Sequence, residues 1–464
     1  MYFRLSLTYA QLENRTQMIY IPASCNGATY QSLRMKKTAS LHTLGCRLNQ
    51  AETAIIARTL KESGYSIVDW GKPSDLTIIN TCTVTEQADA KCRQAVRQAV
   101  RRNPDSFVAV VGCYPQIALD VISKIEGVDL IVGNEKKLRL IDYIDSLEKK
   151  TEPKIVHSVD IPHDEFTIDS VGEYDNHTRA NLKIQDGCDF ICSFCVIPRA
   201  RGRARSRKFD DVLKEARKLI ELGNRELVLT GVNIGTYKSG GSTFIDLLGE
   251  LEALDGLDRL RISSIEPTTI GREVVEMISE SDTICRHLHI PLQSGDDDIL
   301  EAMCRRHRAE EFADFVEWTV DKIPGIGIGT DVMVGFPGET DEHFKHTRKL
   351  LADLPLQYFH VFIYSDRKGT PASRMKNKVD YRIKKERSKI MIELGGRKRH
   401  AFCERYIGTA IEVLFETEHD GLWTGFTDNY IRVQANGHGN DLHNTIRTVI
   451  PERIDDDTLT GKIQ

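Results

Sequence analysis

Three cysteines share one short stretch of the chain, in the spacing Cys-x3-Cys-x2-Cys, and they are Cys188, Cys192 and Cys195. Three thiolates in one loop can ligate three irons of a four-iron cluster, and the fourth iron then stays open to another ligand. A structural zinc site normally needs a fourth Cys or His nearby, and none follows at the usual spacing. The pattern therefore predicts a 4Fe-4S site with one open position, and a zinc site is the alternative.

A second set of three cysteines is spread over the first part of the chain, and its members are Cys46, Cys82 and Cys113. Each of them closely follows a short apolar run that has the composition of a strand. The carboxyl ends of parallel strands lie along one edge of a sheet, so three thiols far apart in sequence can converge there. A single cysteine after a strand is usually a small buried apolar residue, but three equivalent placements favour a second three-cysteine cluster with one open iron.

The other cysteines show no such pattern, and we expect ordinary packed or surface thiols at Cys25, Cys92, Cys285, Cys304 and Cys403. The total of eleven is odd, so the cysteines cannot all pair as disulfides. The first residues lack the apolar core of a secretory signal, and no apolar stretch is long enough to cross a bilayer. These observations predict a cytoplasmic protein with reduced thiols and no membrane partner.

The first cysteine-bearing region must be an α/β domain. Short apolar runs alternate there with helical segments, which is typical of a parallel sheet with helices on its faces. The runs are 38–44, 76–80, 107–111 and 130–132. The polar segment 151–180 predicts a linker. Residues 1–34 predict a disordered leader, or an overextended start before a true initiator at Met35.

A second alternating series predicts six further strands, followed by a charged helix at about 380–403. The candidate strands are 181–184, 226–230, 260–264, 287–291, 328–334 and 359–363. Because βαβ crossovers are right-handed, these units predict an open partial (β/α)6 barrel with its chemistry at the carboxyl ends of the strands. The last segment alternates on a period of two between glycines, which predicts a small antiparallel β-barrel over 401–464.

The loop at 187–195 resembles the signature of the radical S-adenosylmethionine (radical SAM) enzymes, in which an aromatic residue precedes the last cysteine, here Phe194. The resemblance implies that S-adenosylmethionine chelates the open iron and is cleaved by an electron to release a 5′-deoxyadenosyl radical. It also implies that Phe194 flanks the adenine and that the stretch beginning with Thr230 and Gly231 meets the methionine moiety. Weaker candidates for cofactor or substrate contact, with loop packing as the alternative, are Glu266, Gln293 and Asp331.

Both cysteine sets in this order resemble the methylthiotransferases. The stretches that carry the resemblance are ThrLeuGlyCysArgLeuAsnGlnAlaGluThr (43–53), SerSerIleGluPro (263–267), ProLeuGlnSerGly (291–295), GlyPheProGlyGluThr (335–340) and TyrSerAspArgLysGlyThrProAla (364–372). The resemblance implies an auxiliary-cluster domain at 35–150, a radical SAM domain at 181–400 and an RNA-binding barrel of the TRAM type at 401–464. One departure is Arg199, where relatives often have Tyr.

Within that family, the first two stretches most resemble the branch that acts on threonylcarbamoyladenosine in transfer RNA, whereas the isopentenyladenosine branch usually reads CysGlnMetAsn at the first site. The implied reaction adds a methylthio group at carbon 2 of the base, with two 4Fe-4S clusters and S-adenosylmethionine as cofactors. That carbon carries an unactivated hydrogen, which a radical can abstract and an acid–base side chain cannot. The alternatives are the same chemistry on isopentenyladenosine or a ribosomal-protein aspartate, or a non-catalytic zinc-stabilised RNA-binding protein.

The formal net charge is −5, but the basic residues occur in runs, which favours an anionic partner on particular faces. The candidate phosphate contacts are Arg201, Arg203, Arg205 and Arg207 in one run and Arg397, Lys398 and Arg399 in another. The expected partners are the anticodon stem-loop of transfer RNA and an electron donor such as flavodoxin or ferredoxin. The sequence does not indicate a sulfur donor.

Overall fold

The computed structural model describes residues 37–169, 172 and 178–464. The predictions for the leader at 1–34 lie outside these residues. In the described part of the chain, no helix combines the length and the apolar character that crossing a bilayer requires.

The first α/β layer is a sheet of six parallel strands in the order β2-β1-β3-β4-β5-β6. The strands are β1 (Thr38–Thr43), β2 (Ser66–Val68), β3 (Leu76–Thr81), β4 (Phe107–Gly112), β5 (Leu130–Val132) and β6 (Lys154–Val156). The helices are α1 (Arg47–Glu62), α2 (Glu86–Arg102), α3 (Cys113–Ile117) and α4 (Leu119–Ile122), with a 3-10 helix at Lys137–Tyr143. The predicted parallel sheet is confirmed.

Helices cover both faces of this sheet, which explains why β3 and β4 are buried along their whole length. Ile78 and Val111 belong to the core shared with α1, whereas Ile79 and Val110 belong to the core shared with α2. Strand β6 extends the sheet inside the segment predicted as a linker. The linker prediction is therefore wrong there, because a three-residue edge strand leaves no periodic signal.

The central region contains ten strands and seven helices. The strands are β7 (Arg179–Lys183), β8 (Gln185–Asp186), β9 (Arg205–Ser206), β10 (Glu226–Thr230), β11 (Lys238–Ser239), β12 (Ser242–Thr243), β13 (Arg259–Ile262), β14 (His287–His289), β15 (Gly327–Val334) and β16 (Tyr358–Ile363). The helices are α5 (Ile197–Arg201), α6 (Phe209–Glu221), α7 (Phe244–Glu252), α8 (Arg272–Glu280), α9 (Asp297–Ala302), α10 (Ala309–Lys322) and α11 (Asp341–Asp353).

Six of these strands form the predicted open barrel, in two parallel groups, β7-β10-β13 and β14-β15-β16. The bridges Leu260–Ile284 and Ser264–His289 join the two groups. Alternate residues of each strand point outward into one large apolar core with the helices, for example Leu288 and Val361. Their neighbours face the barrel interior, which is polar and aromatic, and they include His287, Asp331, Tyr358, His360 and Phe362.

Helix α12 (Tyr381–Glu404) leads into the last domain, a closed five-stranded barrel in the order β17-β18-β19-β21-β20. Its strands are β17 (Ile411–His419), β18 (Leu422–Phe426), β19 (Arg432–Asn436), β20 (Ile446–Asp455) and β21 (Thr458–Ile463). The prediction of a small barrel is confirmed. It is not antiparallel throughout, because β19 and β21 pair in parallel to close the barrel.

Candidate active site

The loop cysteines (Cys188, Cys192 and Cys195) lie between β8 and α5, at the carboxyl end of the first barrel strand. Backbone donors are aimed at two of their sulfurs. The N–H of Phe190 lies 3.3 Å from Cys188 Sγ, and the N–H of Ile197 lies 3.4 Å from Cys195 Sγ. Hydrogen bonds to sulfur tune a bound iron–sulfur cluster, so this donor set fits a ligand loop.

The third sulfur is held by a side chain that the sequence did not single out. Arg305 Nη1 lies 3.5 Å from Cys192 Sγ and 3.2 Å from Glu266 Oε1, and the second guanidinium nitrogen also pairs with Glu266. Glu266 was predicted as a cofactor contact, and the structure brings it beside the loop cysteines. Arg305 therefore connects this carboxylate to the loop that carries the three cysteines.

The loop cysteines are close enough to influence one another electrostatically. Burial raises the pKa of the Cys188 thiol to about 11 and that of Cys195 to about 12, and the neighbouring Cys192 thiol contributes to both increases. At neutral pH such thiols stay protonated unless a cation favours the thiolate. Bound iron supplies such a charge, so three converging thiols with raised pKa values suit metal ligation better than nucleophilic catalysis.

The turn after β10 contains the predicted methionine-binding residues. The buried Thr230 hydroxyl donates to the carbonyl of Leu182 at 3.2 Å, so it is engaged within the sheet. A Cβ at Gly231 would lie 2.9 Å from Gln185 Oε1, which leaves no room for a side chain. The same Gln185 oxygen accepts from the backbone N–H groups of Val232 and Asn233 at 2.8 and 2.9 Å. Gln185 therefore shapes this turn, and no sequence signal had marked it.

Two other predicted contacts lie on the inner side of the barrel. Gln293 has a positive φ of 71°, and its N–H donates to the carbonyl of Asp331 at 2.8 Å. The Asp331 carboxylate lies 3.3 Å from His289 and 3.2 Å from His360. Burial opposes ionisation, but these histidines hold the pKa of Asp331 well below its usual range. Phe194 packs edge-on against Phe336, with 6.5 Å between ring centres.

The sheet-edge cysteines (Cys46, Cys82 and Cys113) follow β1, β3 and β4 and converge as the sequence predicted. A Cβ at Gly45 would lie only 2.8 Å from Cys82 Sγ. Burial raises the pKa of Cys46 and raises that of Cys82 to about 11, and the Cys113 thiol contributes to both. Cys46 keeps exposed surface, whereas the other two are buried. Three thiols at one edge of the sheet fit a second cluster site.

A buried network of charges joins the first domain to the barrel, and its members are Glu52, Lys137, Lys183, Asp186 and Arg201, each at most 4% exposed. Lys183 lies 2.7 Å from both carboxylates, and Arg201 lies 2.9 Å from Glu52 and 3.0 Å from Asp186. Lys137 also pairs with Glu52. The signal in the sequence was a carboxylate on the apolar face of α1, between Leu48 and Ile55.

Asn134 connects the two cysteine groups. Its Nδ2 lies 3.3 Å from Cys113 Sγ and donates to the carbonyl of Ala200 at 2.6 Å. Ala200 belongs to α5, the helix that follows the loop of Cys188, Cys192 and Cys195. One buried side chain thus spans from the sheet-edge cysteines to the element that follows the loop cysteines.

The structure contradicts two of the predicted RNA contacts. Arg201 and Arg207 are 2% and 1% exposed, because each neutralises carboxylates in the interior. Arg207 lies 2.6 Å from Asp211 and also pairs with Glu215. Neither guanidinium can reach a phosphate, so these predictions are wrong.

The remaining predicted RNA contacts differ in exposure. Arg205 is largely covered and stacks over the Phe166 ring at 5.3 Å. Arg203 is 68% exposed although it pairs with Asp189, and Arg397 is exposed on α12. Lys398 is half-buried and donates to a backbone carbonyl, and Arg399 pairs with Asp457. Arg203 and Arg397 are the two candidates whose charge is most accessible.

Comparisons with known proteins agree with this arrangement. Residues 182–351 match the family model of the Radical SAM superfamily, and residues 38–133 match that of an uncharacterized protein family, UPF0004. A solved radical S-adenosylmethionine methyltransferase, TsrM from Kitasatospora setae, superposes with a TM-score of 0.53 over 73% of this chain and 74% of its own, at 15% identity. The fold and the loop cysteines together define a radical SAM protein, a class that uses S-adenosylmethionine and a 4Fe-4S cluster.

Similarity to curated proteins identifies the family within the radical SAM class. The chain is 39% identical over 418 residues, 86% of this chain and 90% of the relative, to the threonylcarbamoyladenosine tRNA methylthiotransferase MtaB of Bacillus subtilis. It is 32% identical over 397 residues, 82% of each, to the tRNA-2-methylthio-N(6)-dimethylallyladenosine synthase of Alkaliphilus oremlandii. The chain therefore belongs to the radical SAM methylthiotransferase family, and the resemblance noted in its sequence is confirmed.

Proposed function

We propose that the protein adds a methylthio group to carbon 2 of threonylcarbamoyladenosine next to the anticodon of transfer RNA. The observation that carries the proposal is the presence of two separate three-cysteine groups linked through Asn134 and α5. The higher identity to the relative named for threonylcarbamoyladenosine supports this nucleoside over the dimethylallyl one.

Two cofactor sites are proposed. The loop cysteines would hold the cluster that, with S-adenosylmethionine, supplies the radical chemistry needed to replace a carbon-bound hydrogen. The sheet-edge cysteines would hold a second 4Fe-4S cluster, whose open iron supplies a binding position for sulfur. The protein itself fixes both groups: Arg305 with Glu266 anchors the loop, and the buried charges around Glu52 hold α1 against the barrel.

The substrate reaches the barrel interior as an unpaired base. An anticodon-loop nucleotide is already single-stranded, so turning it into a pocket costs little. His360 and Phe362, on the inner face of β16, keep 54% and 39% of their surface exposed and offer aromatic faces on which a base can stack. Phosphate contacts are assigned to Arg203, Arg397 and the C-terminal barrel, and the proposal implies a cytoplasmic protein reduced by a flavodoxin or ferredoxin.

Nucleoside mass spectrometry tests the proposal. Transfer RNA from a deletion strain should lack the methylthio form of threonylcarbamoyladenosine, and the wild-type gene should restore it. A Cys188→Ala gene should fail to restore it, whereas Cys403→Ala, at a thiol in the core of the C-terminal barrel, should succeed. An unchanged nucleoside profile in the deletion strain rejects the proposal.

The same survey separates the alternatives. Loss of the methylthio form of isopentenyladenosine, or of a modified ribosomal-protein aspartate, would reassign the substrate. Anaerobically purified protein should contain about eight irons with matching sulfide per chain. Zinc without sulfide would instead indicate a non-catalytic RNA-binding protein.

A further inference from the structure

The first residue of α1, Arg47, directly follows the cluster ligand Cys46 and points into the barrel rather than into solvent. Its guanidinium donates to the Tyr430 hydroxyl and lies 5.4 Å from the centre of that ring. Among the residues that the structure describes, no carboxylate lies within ion-pairing distance, 4.0 Å, of this guanidinium. Arg47 is therefore a partly covered cation with one neutral partner.

The other arginines around Tyr430 are neutralised, which makes Arg47 the exception. Arg261 lies 5.0 Å from the Tyr430 ring centre and pairs with Glu226. Arg179 lies 5.8 Å from the same ring centre and pairs with Glu416. Within the described part of the chain, a carboxylate thus pairs with each of these two cations and none pairs with Arg47. A charge-assisted hydrogen bond from such a cation to a carboxylate of a ligand is stronger than one between neutral groups.

Arg47 also faces the aromatic wall of the barrel interior. Burial raises the pKa of Tyr358, and the nearby Arg47 charge opposes that increase. The Tyr358 hydroxyl lies 3.0 Å from His287 Nε2, and His360 follows on the same inner face of β16. Arg47 and this aromatic wall therefore line the same side of the barrel interior.

The threonylcarbamoyl substituent ends in a carboxylate. A guanidinium binds a carboxylate with two parallel hydrogen bonds, and Arg is preferred over Lys where that planar geometry matters. We propose that Arg47, with the Tyr430 hydroxyl beside it, binds the carboxylate of the threonylcarbamoyl group and so determines which modified adenosine is accepted. This inference rests on the proposed function.

The same contact explains why the site would distinguish one adenosine substituent from another. An apolar substituent such as isopentenyl would cover Arg47 and give it no acceptor, and leaving a charged donor unpaired in a binding site costs much more than losing a neutral contact. Tyr430 reaches this position from the loop between β18 and β19 of the C-terminal barrel. The specificity site is therefore built from the first and last domains together, inside the middle one.

The test uses the anaerobically prepared holoenzyme and two anticodon stem-loop RNAs, one carrying threonylcarbamoyladenosine and one carrying its methyl ester. The ester removes the negative charge and adds only a methyl group. The wild-type protein should bind the acid RNA about 10- to 100-fold more tightly than the ester RNA, which is the range for a charged hydrogen bond. Arg47→Gln should remove this preference, and Arg47→Lys should retain part of it.

The control variant is Arg58→Gln, on the exposed side of the same helix, where Arg58 pairs with Glu62 at 2.7 Å. It changes the charge of α1 equally and should keep the full preference for the acid. Equal affinity of wild-type protein for acid and ester overturns the inference whether or not the Arg47 variants fold, and so does an Arg47→Gln protein that keeps the preference. Absence of methylthiolation on the acid RNA with normal acid binding would instead reject the proposed function.

Discussion

At the scale of single residues, the buried charges around Glu52 are the least expected feature of the molecule. With Arg205, which lies 3.6 Å from Asp186, four cations face two carboxylates, so the network carries surplus positive charge. Arg201 acts on the sheet-edge cysteines and opposes the increase in the pKa of Cys46 and Cys82 that burial causes. A surplus cation beside three cysteines suits thiolate ligands, and it fixes α1 to the barrel at the same point.

Removing the Glu52 carboxylate should lower the free energy of unfolding. Glu52→Gln removes the carboxylate that pairs with Lys137 and leaves Lys183 and Arg201 with Asp186 alone, and breaking a buried ion pair typically costs about 3–5 kcal/mol. We expect the midpoint of urea unfolding to fall accordingly. Glu62→Gln, at an exposed pair on the same helix, should change stability by less than about 1 kcal/mol. Equal midpoints for the two variants would show that the network contributes no more than a surface pair.

At the scale of elements, the C-terminal barrel is not a detachable module. Arg261 donates to the carbonyls of Asp428 and Thr427 at 2.7 and 3.1 Å, and Arg259 donates to those of Phe426 and Glu412 at 2.9 and 3.2 Å. Both arginines belong to β13 of the central barrel, whereas all four carbonyls belong to the last domain. The last domain therefore completes the hydrogen bonding of buried cations in the middle one.

Deleting residues 405–464 should destabilise the central barrel as well as weaken RNA binding. Buried guanidinium groups would lose their acceptors, and we expect the thermal midpoint to fall by on the order of 10 °C. Cofactor cleavage should decline with it. Arg432→Gln, at an exposed position of β19, provides the matched control that leaves the midpoint unchanged. A truncated protein that melts and cleaves as the full chain does would show that the domains are independent.

At the scale of the whole molecule, the two cysteine groups belong to different domains, so each should bind its iron independently of the other. Cys46→Ala should lower the iron content from about eight to about four per chain and keep cleavage of S-adenosylmethionine. It should abolish methylthiolation. Cys188→Ala should give a similar iron content but no cleavage. Loss of all iron in either variant would mean that one group depends on the other for its fold.

The sequence was sufficient to predict the features that depend on residues close together in the chain. The apolar runs located β3 and β4, and the strand ends placed Cys46, Cys82 and Cys113 at one edge of the sheet, because parallel strands share a direction. It could not predict that Arg201 is buried, because its partner Glu52 lies on α1, 149 residues away in the chain. The contact between Arg47 and Tyr430 spans 383 residues, and only the packing of three domains brings the two together.

Three residues with different proposed roles lie at the start of helix α1. Cys46 precedes the helix, Arg47 is its first residue and Glu52 lies on its buried face. Each added or deleted residue would rotate the rest of a helix by about 100°. Inserting one residue between Arg47 and Glu52 would therefore turn the Glu52 carboxylate away from the barrel, while the proposed cluster ligand Cys46 and the proposed substrate contact Arg47 stayed in place. A chimaera that takes this segment from a relative with a different nucleoside preference can carry another residue in place of Arg47. It must keep the same number of residues between that position and Glu52.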